Sequence, residues 1–221
     1  GIEPVAIDIG INADTIAILG DLSNAVGKKE IDARGLSVAP GFINMLSWAT
    51  ESLILDGKSQ ADIRQGVTLE VFGEGTSMGP LNDQMKKDMR EQMRDYTFDI
   101  NWTTLGQYLE SLEKKGIACN VASFVGATTL RIHELGMANR PPTAQELERM
   151  KTLARQAMEQ GALGIGSSLI YAPASFCTTD ELIELCKVVS PYGGMYITHM
   201  RSEGYNIFDG VDETIRIARE A

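Results

Sequence analysis

Leu163-Gly164-Ile165-Gly166-Ser167-Ser168 is the stretch on which the fold turns. It carries no charge and is short, as a strand buried on both faces requires. Helical signals stand on either side. Upstream, Thr143 is followed three residues later by Glu146, a capping box, and the helix it opens runs to Gln160 and stops at Gly161. Downstream, Thr179 begins a helix to about Val189. Gly193-Gly194 then turns the chain into a second apolar run, Met195-Tyr196-Ile197-Thr198-His199. Strand, helix and strand in that order imply a right-handed crossover and a parallel sheet.

The same grammar extends back toward Pro40. Gly41-Phe42-Ile43-Asn44-Met45-Leu46 reads as another strand buried on both faces. A helical stretch at Gln60 to Gln65 ends at Gly66, and Val67 to Gly73 is the next strand. Asn82 caps a helix expected to run to Tyr96. Met85, Met89 and Met93 form a stripe on it, read as core packing, with a methionine-rich docking surface as the alternative. Thr104 to Lys115 is a helix stopped by Gly116. Ile117 to Val125 is a strand, and Gly210 to Ala221 a last helix. Roughly five βα units result. They fit an open doubly wound sheet or part of a (β/α)8 barrel. The sequence has no GxGxxG after a first strand and no Walker sequence, so a nucleotide-binding version is unsupported. A barrel takes about 250 residues, and about 180 follow the opening segment, so a barrel reading stops short of closure.

The opening segment is different. Val5 to Ile9, Thr15 to Leu19 and Lys28 to Ala33 are short runs punctuated by Gly10, Asn12, Gly20 and Asp21, the pattern of a small antiparallel sheet. A boundary is expected between Arg34 and Pro40. The domain assignment is therefore residues 1–38 and residues 39–221.

Composition narrows the function. The 221 residues carry 20 Lys+Arg against 30 Asp+Glu, a net charge of −10, which argues against binding a phosphate backbone. No apolar stretch is long enough to span a bilayer, so no membrane partner is expected. Gly1 to Asn12 contain Glu3 and Asp8 and lack a basic start, so they do not read as a signal peptide. The cytoplasm is favoured, with the periplasm kept open for a leader preceding Gly1. Cys119, Cys177 and Cys186 form no CxxC and read as reduced, mostly buried thiols.

The chain has two histidines. His199 falls at the C-terminal end of an expected buried strand, the edge where parallel α/β folds bind ligands, and an imidazole there can hold a metal or move a proton. His133 reads as an ordinary solvated or capping residue on a short helix. Glu74 lies just past another strand between Gly73 and Gly75, glycines that would let the backbone approach a ligand. As a metal ligand or base it gains weight from sharing His199's mouth. The loop from Ser167 and Ser168 to Tyr171 offers two hydroxyls and a phenol for a substrate carbonyl or carboxylate, with plain loop packing as the alternative. No G-x-S-x-G elbow supports a nucleophilic serine.

Several of these segments resemble a known family. Ile31 to Leu36 followed by Ala39-Pro40-Gly41-Phe42-Ile43 is similar to the entry into the first barrel strand of amidohydrolase-superfamily proteins. Gln65-Gly66-Val67-Thr68, the run from Ser167 to Pro173, Thr179-Asp180-Glu181-Leu182 and above all Tyr192 to Gly204 resemble the N-acyl-D-amino-acid deacylase (D-aminoacylase) branch. The resemblance covers essentially the whole chain. It implies α/β architecture: a partial (β/α)8 TIM-type barrel, about the first five units, preceded by part of a small β-sandwich. It implies a metal-dependent hydrolase of N-acyl-D-amino acids. Glu74 and His199 match metal ligands, and Ser168, Tyr171 and Arg201 are assigned to substrate. One departure is prominent. Where the family has His-x-His, this chain has Asn44-Met45-Leu46, with Ser47-Trp48 beside it. Val125-Gly126-Ala127-Thr128 likewise stands where relatives often show Val-Gly-His-Gly.

The resemblance therefore implies at most one tightly bound metal per full-length subunit, with zinc favoured. The third ligand and a catalytic aspartate are expected beyond Ala221. The 221-residue chain is accordingly expected to be inactive alone. The expected partner is a small N-acyl amino acid, with a homo-oligomer allowed. A non-catalytic scaffold, or an amidohydrolase of cyclic amides or dipeptides, are the alternatives.

Overall fold

The computed structural model describes residues 5–93 and 96–221. Gly1 to Pro4, and Arg94 and Asp95 within the helix expected from Asn82 to Tyr96, lie outside the described residues. The chain divides into two compact units, Gly1–Pro40 and Gly41–Ala221.

In the first unit, β1 (Asp8–Asn12) pairs antiparallel with β2 (Thr15–Gly20), and Ala13 takes a left-handed φ of 54° in the turn. The strand expected over Lys28 to Ala33 does not form. Its polar groups serve local turns instead. The Glu30 carboxylate accepts from Gly27 N–H, and the Asp32 carboxylate takes both the Arg34 backbone N–H and its guanidinium.

The second unit opens with β3 (Phe42–Asn44), the short helices α1 (Ser52–Leu55) and α2 (Gln60–Ile63), and β4 (Val67–Phe72). Next come α3 (Asp83–Gln92), α4 (Leu105–Lys115), β5 (Asn120–Ser123), β6 (Val125–Gly126), α5 (Ala127–Leu135) and α6 (Ala144–Glu159). It finishes with β7 (Gly164–Ser168), α7 (Thr179–Val189), β8 (Met195–His199) and α8 (Ile207–Glu220). One parallel sheet has the order β3-β4-β5 and another β6-β7-β8. They meet at Phe124, the single residue between β5 and β6, whose N–H donates to Phe72 O at 2.9 Å. The result is a parallel α/β series in chain order.

Local signals explain the helices. α4 and α6 both start with complete capping boxes, Thr104 with Gln107 and Thr143 with Glu146. Leu105, Tyr108 and Leu112 are the buried stripe of α4, and Met150, Ala154, Ala157 and Met158 that of α6. α7 begins at Thr179 and ends at Val189 as expected, capped by Thr178, whose hydroxyl accepts from Glu181 N–H. α8 begins at Ile207 rather than Gly210. All three cysteines are free and buried.

The strand expected over Gly41 to Leu46 needs a correction. Only Phe42–Asn44 pairs, and Phe42 and Ile43 are 63% and 54% exposed. Among the described residues β3 pairs with one strand, β4, and no strand pairs with its other edge. Met85, Met89 and Met93 pack partly buried against the core of the unit. Arg131 on α5 and Glu181 on α7 form a buried ion pair at 2.8 Å. It is supported by Arg131 donating to the Ala138 and Arg140 carbonyls. Among the described residues no helix is long and apolar enough to cross a membrane.

Candidate functional site

The C-terminal ends of β4, β7 and β8 converge. Ser168 is paired in register with His199, and Leu169 N–H donates to His199 O at 2.8 Å. Just past β4, Gly73 and Gly75 have φ of 96° and 85°, values that side-chain-bearing residues rarely adopt. Space demands glycine here too. A Cβ on Gly73 would lie 2.2 Å from Phe124 O, and one on Gly75 would lie 2.4 Å from the Ser168 hydroxyl. A Cβ on Gly166, in the middle of β7, would come 2.0 Å from Gly73 O. These glycines admit close approach of the protein's own neighbouring strands, the backbone at Gly73 and Gly166 and the Ser168 side chain at Gly75. They clamp the turn that carries Glu74 directly onto the neighbouring strands. The Ser168 hydroxyl donates to Glu74 O at 3.2 Å and fastens it further.

His199 and Glu74 are brought within electrostatic reach of each other. Burial pushes the Glu74 carboxyl above its ordinary value, the His199 ring opposes that rise, and the Glu203 charge adds to it. His199 Nε2 lies 3.2 Å from Glu203 Oε1. The Tyr171 ring meets the His199 ring edge-on at 5.3 Å between centroids. Glu203 was not singled out from the sequence. Its spacing four residues after His199 was the available signal.

Two of the residues read from the sequence have hydrogen-bond partners within the chain. The Arg201 guanidinium donates to both Glu213 oxygens and to the Ser175 and Cys177 carbonyls. That clamp ties the loop after β7 to α8 and occupies most of the donors an arginine has. Ser167 is fully buried, bonded to Tyr196 Oη and Thr198 Oγ1, both at 2.8 Å, and faces away from Ser168. His133 Nδ1 sits 2.9 Å from Glu134 Oε1, outside the Glu74–His199 cluster.

Two cavities flank Glu74. A small one of about 100 Å³ is bordered by Glu74, Ser168 and Tyr171. A large one of about 760 Å³ lies between α3 and α5. Trp48, Glu74 and Thr76 line both. At the end of β3, where Asn44-Met45-Leu46 stands, the polar side chains are already engaged. Asn44 donates to Asp62, and the Ser47 hydroxyl donates to the buried Glu70 carboxylate at 2.6 Å. Among the described residues no three His, Cys, Asp or Glu side chains come together closely enough to hold a metal ion.

Comparison with known proteins supplies the class. No family model matches the sequence. A D-aminoacylase from Alcaligenes xylosoxydans xylosoxydans is 39% identical over 96% of this chain and 44% of its own length. An N-acyl-D-aspartate deacylase from the same organism is 32% identical over 96% of this chain and 43% of its own length. Among solved structures, a D-aminoacylase said to define a novel subset of amidohydrolases superposes with a TM-score of 0.85 at 37% identity. It covers 97% of this chain and 45% of that one. A second D-aminoacylase structure, concerned with a binuclear metal centre, one-metal activation and second-metal attenuation, gives 0.84 at 35% identity, with the same coverage. An N-acyl-D-glutamate deacylase from Bordetella bronchiseptica, complexed with zinc and a phosphonate mimic of the tetrahedral intermediate, gives 0.80 at 26% identity, over 96% of this chain and 45% of that one. The class is thus that of the amidohydrolases. Within it the chain belongs to the D-aminoacylase family, and it spans less than half the length of the relatives it matches.

Proposed function

We propose that this chain contributes the first half of the active site of a zinc-dependent N-acyl-D-amino-acid deacylase. In this reading its five parallel segments are the opening arc of a (β/α)8 barrel, and residues 1–38 are part of a small β-sandwich. The observation that carries it is the convergence of Glu74 and His199 at the C-terminal strand edge. A carboxylate and an imidazole are two of the three protein donors a catalytic zinc takes. The fit is therefore partial, since no third donor joins them among the described residues. When bound, the metal would polarise the amide carbonyl and acidify a water.

The chain's own residues prepare that chemistry. With His199 Nε2 directed at Glu203, Nδ1 keeps its lone pair for a metal, and the ring is held from a second side by Tyr171. The glycine clamp fixes the Glu74 turn. Ser168 and Tyr171 border the small cavity, where they would hold the substrate amide and exclude water.

The test uses the natural gene product. Elemental analysis is expected to give at most one tightly bound metal, and His199→Ala is expected to lose both metal and deacylation of N-acyl-D-amino acids while L-isomers are refused throughout. Two metals per chain, or unchanged activity in the variant, overturns the reading. The engaged side chains at the end of β3 favour one alternative, a non-catalytic binding scaffold. Absence of any bound metal with retained ligand binding would identify it.

A further inference from the structure

The loop between β7 and α7 carries Tyr171, whose side chain is 60% exposed. Burial therefore does not explain why its ring stands edge-on to His199. The backbone beneath it does. Tyr171 N–H donates to Ser168 O at 3.2 Å, and Ser175 N–H donates to Tyr171 O at 2.8 Å. Ser175 lies in a single helical turn, Ala174–Phe176. Its carbonyl accepts from Arg201 Nη1, and the Cys177 carbonyl accepts from Arg201 Nη2, both at 2.9 Å. Arg201 in turn leaves the chain two residues after His199. Both members of the ring pair are thus tied to one guanidinium, His199 through the chain and Tyr171 through Ser175.

That guanidinium is itself fixed. Nε donates to Glu213 Oε2 at 3.0 Å and Nη2 to Glu213 Oε1 at 2.9 Å, a two-pronged grip. Glu213, on α8, is mostly buried, and the Thr179 hydroxyl at the start of α7 donates to it at 2.8 Å. A carboxylate held from two helices leaves the arginine one geometry. Lysine would supply the charge there, but not the planar fork that spans a carboxylate and two carbonyls.

We infer that Arg201, fixed by Glu213, is a positioning residue: it holds the loop after β7 so that the Tyr171 ring stays on the His199 ring at the small cavity. This rests on the deacylase reading and gives Arg201 a role other than the substrate contact expected from the sequence. It acts on the reaction through Tyr171 and touches no reacting atom.

The test uses the natural gene product, first stripped of metal, with fluorotyrosine in place of Tyr171. The fluorine NMR signal then reports the surroundings of that one ring. Arg201→Met should move the signal toward its position in the urea-unfolded chain while the circular dichroism stays native. Arg201→Lys should move it nearly as far, since the charge is kept and the fork lost. Leu112→Ala, which weakens the fold from the buried stripe of α4, should leave it in place. In the metal-loaded enzyme, Arg201→Met and Tyr171→Ala should each lower kcat/KM on an N-acyl-D-amino acid at least about tenfold, with metal content unchanged. The double variant should lose no more than the larger single loss, because both act through one contact. A signal unmoved by Arg201→Met, full rescue by lysine, or single losses that multiply in the double variant overturns the inference and leaves the deacylase reading intact. Should Arg201→Met fail to fold, Glu213→Gln carries the same decision: a shift in the same direction supports the clamp, and an unmoved signal overturns it. If the wild type cleaves no N-acyl-D-amino acid, the deacylase reading is what has failed, and the fluorine signal alone decides on the clamp.

Discussion

β7 and β3 are both short, uncharged, parallel strands of one unit, and they meet opposite fates. All five residues of β7 are buried, because β6 and β8 flank it and α5 and α7 are packed beside it. β3 keeps Phe42 and Ile43 largely open to water, because among the described residues β4 is the one strand beside it. Composition alone does not separate them, and β3 is in fact the more apolar. What separates them is the number of neighbours each has within the unit. Burial is a property of the assembly, and an apolar run reports only that burial would be favourable.

Substitutions can sharpen that contrast or break it. The largest effect is expected around β7, in the helix layer beside it. Arg131→Met leaves Glu181 buried without its partner and should destabilise the fold by about 3–5 kcal/mol in urea titrations. Ile165→Ala, in the fully buried centre of β7, should cost about 2–5 kcal/mol by the same measurement. Ser47→Ala, at the single buried polar anchor following β3, should cost about 1–2 kcal/mol at neutral pH. Ile43→Ala should cost less than about 1 kcal/mol, since little of that side chain leaves water within this unit. An Ile43 effect as large as that of Ile165 would break the comparison and show that β3 is covered in solution.

The Ser47 effect should also depend on pH in a definite direction. Burial pushes the Glu70 carboxyl up, but donation from Ser47, Ser59 and Cys119 outweighs it, and the group ends below its ordinary value. The native state therefore holds fewer protons on Glu70 than the unfolded chain does. That stabilisation is present above the ordinary carboxylate range and is lost as pH falls through the native value. Ser47→Ala weakens it, so the gap between variant and wild type should narrow on acidification. A gap that widens at low pH would mean that Glu70 is not held as described.

The sequence was most legible where a single local device decides the outcome. Thr143 with Glu146, Gly116 and Gly161 each fix a helix end without outside help, and the α/β alternation followed from them. It was least legible where partners are distant in the chain. Lys28 to Ala33 has strand-like spacing, yet its carboxylates close turns on themselves. Arg201 pairs with Glu213, twelve residues on, a partner that no local spacing announces. The large cavity could not be read at all, because α3 and α5 build it from segments about forty residues apart. Glycines 73 and 75 were correctly marked as special, but only the packing of β6 and β7 shows what crowds them.

The clamp formed by Gly73, Gly75 and Gly166 has an evolutionary consequence. The path of the turn is dictated by crowding at its two ends, from the Phe124 main chain at Gly73 and from Ser168 at Gly75, so position 74 between them is held in place whatever side chain it bears. The donor there is therefore interchangeable. A carboxylate, a thiol or an amide can be tried at that point without the frame being rebuilt, while any exchange of the glycines themselves is punished by steric collision. Such a turn lets a lineage vary the side chain it presents by one codon at a time, with the geometry inherited unchanged.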